Sequence, residues 1–229
     1  MPGPLRPLSI VLSDVCFVHW PVAPTAVDAV VPDWVEPETM AESAWVSALA
    51  LSIDRFDAFG VPVREDLEGI NLRTYVRTPA GDRAVYFLSL DVTDRLAADT
   101  ARTLFRLPYH HADVRRRHQG DRTEVVAKRR DGSGARLSLT FEPTGEPTTT
   151  APDTLPSFLI DRERYVTTGP LGTRLAGSVG HEPWTVQAAD ATVAETTLLS
   201  VAGIDAVDGD PIAHYSPGIE MGIGALEPL

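Results

Sequence analysis

One cysteine and one lysine are all that this chain of 229 residues holds of two reactive side chains. Cys16 alone excludes an internal disulfide framework and any CxxC metal or redox motif. Its apolar setting, "VCFV", predicts a buried and inert thiol. Lys128 is the only lysine among 20 basic residues, so imine chemistry has a single candidate amine. Positive charge is short as well. With 32 acidic residues against 20 basic ones the formal net charge is −12, which excludes nucleic acid and an anionic membrane as main partners. The runs "RRRH" (115–118) and "KRR" (128–130) therefore read as solvated loop charges. No apolar run approaches the ~18 residues of a membrane-spanning helix.

Several motifs are missing too. The six histidines form no HxH or HExxH arrangement, so no metal site is expected. The glycines of "GPLGTRLAG" match neither a phosphate-binding loop nor a dinucleotide fingerprint, and no GxSxG elbow occurs. No cofactor is expected. The start, "MPGPLRPLSIVLSDV", lacks a cationic leader region, and Asp14 interrupts its apolar run, so no signal peptide and a cytoplasmic location are expected.

What is present is ordinary globular composition, 43% hydrophobic and 23% charged, at a length that suits one domain over 1–229. Alternation is the main signal. In "SAWVSALALSI" (43–53), Trp45, Leu49, Leu51 and Ile53 share one face. In "INLRTYVR" (70–77), Ile70, Leu72 and Val76 oppose Asn71, Arg73, Tyr75 and Arg77. The turn "TPAGD" (78–82) leads into the strand "RAVYFLSLDV", and "DGSG" (131–134) joins a second hairpin. From the N-cap Asp94, "RLAADTARTLFRL" predicts a helix to about residue 106, with Leu96, Ala97, Ala101, Leu104 and Phe105 on one face and Pro108 ending it. Short helices are expected at 25–31 and 154–162. The proline- and threonine-rich 142–156 reads as an exposed loop. Many strands and few helices predict a mainly β fold, an antiparallel barrel or sandwich. The stripe Asn71–Arg73–Tyr75 is then either a solvent face or the lining of a ligand-holding barrel.

The motifs "FVHWPV" (17–22), "INLRTYV" (70–76), "VYFLSLD" (85–91), "ARTLFRLPYHHADV" (101–114), "FLIDRERY" (158–165) and "HEPWTVQAA" (181–189) occur in the order found in the YqjF-like family, and the chain resembles it over most of 11–217. That family belongs to the acetoacetate-decarboxylase-like superfamily. The resemblance implies a mainly antiparallel β-barrel with an internal pocket and a few flanking helices. True acetoacetate decarboxylases carry a Schiff-base lysine after a proline. An ungapped match to "ARTLFRLPY" puts that proline on Pro108 and the lysine on Tyr109, and a phenol forms no imine. The resemblance also implies a glutamate two residues before Asn71, where this chain has Gly69. Glu68 would point to the other face.

The candidate catalytic residues are Tyr109, placed by the resemblance, and His19, whose imidazole suits acid–base work near neutral pH. Each has a structural alternative, as a helix-end packing residue and a hydrogen-bonded core residue. Arg73 and Arg102 are the candidates to hold a carboxylate, with Asp91 and Glu163 as their alternative ion-pair partners. Asn71, Tyr75, Trp20, His181 and Trp184 complete the expected substrate site, the last two as a loop at the barrel mouth. His110 and His111 read as exposed loop residues. The expected function is a lysine-independent lyase, isomerase or cyclase acting on a small oxygenated organic acid or polyketide-like molecule. The alternative is a non-catalytic ligand-binding barrel. A homo-oligomer stays open.

Overall fold

The structure, a computed structural model, describes residues 7–229; residues 1–6 of the stretch read as lacking a leader lie outside the described residues. In chain order the strands are β1 (Leu8–Val22), β2 (Glu36–Pro37), β3 (Ala44–Ala58), β4 (Val61–Arg77), β5 (Arg83–Val92), β6 (Tyr109–Gln119), β7 (Arg122–Arg129), β8 (Arg136–Thr149), β9 (Arg164–Thr168), β10 (Arg174–Gly180), β11 (Thr185–Thr196) and β12 (Ile212–Pro228). The α-helices are α1 (Pro24–Asp28), α2 (Arg95–Phe105), α3 (Leu155–Ile160) and α4 (Leu198–Val201). No described helix is long and apolar enough to cross a membrane.

The sheet closes on itself. Pairings β1–β3, β3–β4, β4–β5, β5–β9, β9–β10, β10–β12 and β12–β1 complete one ring. A wider ring leaves β5 through β6, β7, β8 and β11 and returns at β12. The two rings share the wall β12–β1–β3–β4–β5. Pairing is antiparallel except at β5–β6 and β5–β9. The shared wall explains why "VCFVHW" and "AWVSALAL" are apolar without clean alternation, because both faces are covered. Cys16, Val18, Trp20 and Val22 face one core, shared with β6–β8 and α4, while Val15 and Phe17 face the other, inside the first ring. A bulge at Asp14 (φ 48) keeps Leu8, Ile10 and Leu12 on that same inner side despite their even numbers.

Several local expectations change. Residues 142–149 continue β8 and pair with β11. The threonines suit a strand, and beyond Phe141 β8 has no ladder to β7, so Pro143 and Pro147 lie where the second flank is unpaired. His110 and His111 lie at the start of β6, where His110 Nδ1 sits 3.1 Å from Asp131. The basic runs lie on strands. Arg116 is bound to Asp14 and Glu68 at 2.6 and 2.9 Å, and Arg129 clasps Asp91 at 2.7 Å. Lys128 is exposed between them in sequence. Cys16 is wholly buried, which pushes its thiol pKa up. α2 begins at the Asp94 cap, which accepts from Ala97 N at 2.8 Å, and ends on Arg106 in the left-handed region. Its Leu96 points outward, 63% exposed.

Candidate functional site

The interior of the first ring divides in two. Towards the β3–β4 hairpin and α2 it is hollow, a cavity of about 400 Å³ to which every strand of that ring contributes. The wall is mostly apolar: Leu12, Leu51, Leu90, Phe87, Phe105 and Met221 among others. Alternation carries Gly69 and Asn71 of β4 to the lining. A side chain at 69 would be tight, since a Cβ would meet Asp91 O at 3.2 Å and Leu51 Cδ1 at 3.3 Å. Glu68 points the other way, accepting from Ser52 Oγ and Arg116 Nε.

Two phenols join the lining, Tyr109 at the start of β6 and Tyr165 on β9. Pro108 stops α2, and the parallel pairing Leu90↔Tyr109 draws the next residue against β5. Burial, with the nearby Tyr165 phenol as a second cause, raises the Tyr109 pKa. Burial pushes that of Tyr165 up to about 12. Both are therefore protonated donors at neutral pH. The Tyr165 hydroxyl is buried with no protein partner. Its ring lies over Gly177, its cross-strand neighbour, where any Cβ would overlap the ring and hydroxyl. Arg64 also belongs to the lining, with its Nε 3.3 Å from the Asp94 carboxylate.

Farther along the strands the interior is filled. Arg73 Nη2 and Tyr75 OH both donate to Leu159 O of α3, at 2.7 and 2.6 Å. Because that carbonyl only accepts, Tyr75 spends its proton there, Ser47 Oγ donates to Tyr75 (2.6 Å), and His19 Nδ1–H donates to Ser47 (2.6 Å). His19 Nε2 is left as a buried lone pair without a partner, 5.3 Å ring to ring from His214. Burial, then His214 and Arg73, hold the His19 pKa well below its usual value. Glu38, buried, binds Arg162, Arg77 and Arg83 at 2.7–2.8 Å and helps seal the α3 end.

The expected site residues therefore separate. Asn71 and Tyr109 line the cavity. His19, Arg73 and Tyr75 sit together in the filled end, with Trp184 packed edge-on to Phe17 nearby. His181 packs against Trp184, so this loop lies at the α3 end and not at the cavity mouth. Trp20 faces the other core. Arg102 is exposed on α2 and ties it to the start of β6, donating from Nε and Nη2 to Tyr109 O at 2.9 and 2.6 Å. Asp91, weighed as a partner for Arg73 or Arg102, is held by Arg129. Tyr165, Arg64 and Gly177 were not singled out from sequence. Periodicity gives no cue that β9 and β10 close the ring opposite β4.

A closed β ring around one apolar cavity, with short helices at its ends, is the fold of acetoacetate-decarboxylase-like proteins. The enduracididine biosynthesis enzyme MppR complexed with pyruvate superposes with a TM-score of 0.69 at 12% identity, over 99% of this chain and 91% of that one. Acetoacetate decarboxylase from Legionella pneumophila subsp. pneumophila str. Philadelphia 1 does so at 0.64 and 12%, over 99% and 92%. Within that class the chain belongs to the DUF2071 family, described as "Uncharacterized conserved protein (COG2071)", which matches residues 10–220. It is 35% identical to "Uncharacterized protein YqjF" of Bacillus subtilis (strain 168) over 207 residues, 89% of this chain and 85% of that protein.

Proposed function

We propose that this protein is a lysine-independent enzyme, a lyase, isomerase or cyclase that takes a small oxygenated organic acid or polyketide-like molecule into the cavity. The observation that carries this reading is the pair of phenols on a mostly apolar wall. Held protonated by burial, Tyr109 and Tyr165 donate hydrogen bonds to a substrate carbonyl. They stabilise the oxyanion that develops when a neighbouring bond to carbon breaks, or when an α-proton passes to a water molecule admitted with the substrate. Water is sparse in such a site, which strengthens those bonds. Asn71 orients the substrate. His19 acts as a positioning residue, its relay through Ser47 and Tyr75 holding α3 in place as the stopper of the ring. An imine route is unsupported, because Lys128 is exposed and a phenol stands where the resemblance puts the lysine.

The test is α-proton exchange of ketones and keto acids in D₂O, followed by NMR, since reactions beside a carbonyl share that step. Tyr109→Phe should fold as the parent does and lose about 10²–10⁴ in rate. Full exchange in the phenylalanine variant would remove Tyr109 from the chemistry. A second reading, a non-catalytic binding barrel, is favoured by one observation: the described lining holds no histidine, and its Asp91 is tied to Arg129. Tight binding without exchange by the parent protein would select it.

A further inference from the structure

We infer that the cavity takes an uncharged, largely hydrophobic ketone or phenol and discriminates against carboxylates. This rests on the reading of the cavity as the ligand site and decides between the two substrate classes left open above. A buried carboxylate needs a cation or several aligned donors to replace its water. Arg73 and Arg102, the residues expected to supply the charge, do not reach the lining. Arg73 donates Nη2 to Leu159 O at the filled end, and Arg102 donates to Tyr109 O at the start of β6 from an exposed position. The lining does include Arg64, but its charge is paired with Asp94 at 3.3 Å and its Nη1 donates to Val63 O. Asp91 of the lining is an anion already paired with Arg129, and the phenols and the Asn71 amide beside it satisfy a neutral oxygen. Negative charge is further opposed by the net charge of −12.

Size and mouth agree. At about 400 Å³ the cavity falls within the range of pockets for drug-sized ligands, far more than a three-carbon acid fills. The mouth lies between the β3–β4 hairpin and α2. Val63 and Leu104 line it at 41% and 54% exposed, and Phe59, Val61 and Leu96 of the same two elements are exposed. Half of the large exposed apolar side chains of the described residues thus lie on these two elements, and an apolar ligand body would cover Val63 and Leu104.

The experiment uses prodan, an uncharged naphthyl ketone whose emission reports polarity, against its counterpart bearing a carboxylate in place of the propionyl group. The ketone should bind at least about tenfold more tightly. Tyr109→Phe should weaken it and shift its emission. Ala101→Trp, which fills the cavity from α2, should abolish binding with the circular dichroism unchanged. Should that variant misfold, Thr100→Trp, at an exposed lining position, serves instead. Equal or tighter binding of the carboxylate, or unchanged ketone binding in a correctly folded filled variant, would overturn the inference. Ketone binding without α-proton exchange would sink the catalytic reading and leave this one standing. Exchange on keto acids with the carboxylate probe preferred would do the reverse.

Discussion

The wall that carries Tyr109 depends on one buried ion pair, and cutting it should be costly. β6 meets β5 through only three paired positions, Leu90↔Tyr109, Asp91↔His110 and Val92↔His111. Across them Arg129 of β7 grips Asp91 bidentately at 2.7 and 3.1 Å, with the two side chains 6% and 2% exposed. In Arg129→Leu the carboxylate stays buried without its partner, which costs about 3–5 kcal/mol. At about 2–4 °C per kcal/mol for a chain of this size, the melting temperature should fall by roughly 6–20 °C. Asp91 already has a raised pKa from burial, opposed mainly by Arg129, so removing the arginine raises it further. A carboxyl whose folded pKa is raised destabilises the fold as pH rises through that value. The deficit of Arg129→Leu should therefore shrink on acidification. The double variant Asp91→Leu, Arg129→Leu leaves no orphaned charge and should recover most of the loss. Calorimetry at about pH 5 and about pH 8 measures all three. A single variant within about 1 kcal/mol of the parent, or a double variant no better than the single, would refute this account of the wall.

Borohydride with acetoacetate should leave no reduced adduct by mass spectrometry, because the one lysine is on the surface; a mass increment on Lys128 would contradict this. His19 is held neutral, so the unfolded chain takes up its proton first as pH falls below about 6.5. Stability should then drop by up to about 1.4 kcal/mol per pH unit from this group. His19→Gln should flatten the profile between about pH 5 and 6.5; an identical slope would show that other groups carry it. Gly177→Ala should cost about 1–3 kcal/mol by displacing the Tyr165 ring. Made in a Tyr165→Ala background the same change should cost almost nothing, and equal costs in both backgrounds would argue against the contact.

The sequence by itself determined β3, β4, β5, β7 and the first part of β8, the two hairpins, the Asp94-capped helix and its stop at Pro108, because turn chemistry, capping and side-chain alternation act over a few residues. It also determined what the chain cannot do by disulfide or CxxC chemistry, since one cysteine is one cysteine in any fold. Which face of each strand looks inward was only partly legible. β1 and β3 are buried on both faces, so their apolar runs do not say which residues see the cavity, and Trp20 fell on the far side of the wall from His19. The fate of the arginines was not legible at all. Arg73 and Arg102 look like anchors in the chain, yet one ends on a helix carbonyl and the other on a strand terminus, while Arg129 in a basic run is buried against Asp91. A guanidinium reaches whatever acceptor the fold brings near it, often from a residue far away in the chain. The pairing of β5 with β9, and of β10 with β12, brought Tyr165 round to Tyr109, a meeting made by ring closure that no local pattern encodes.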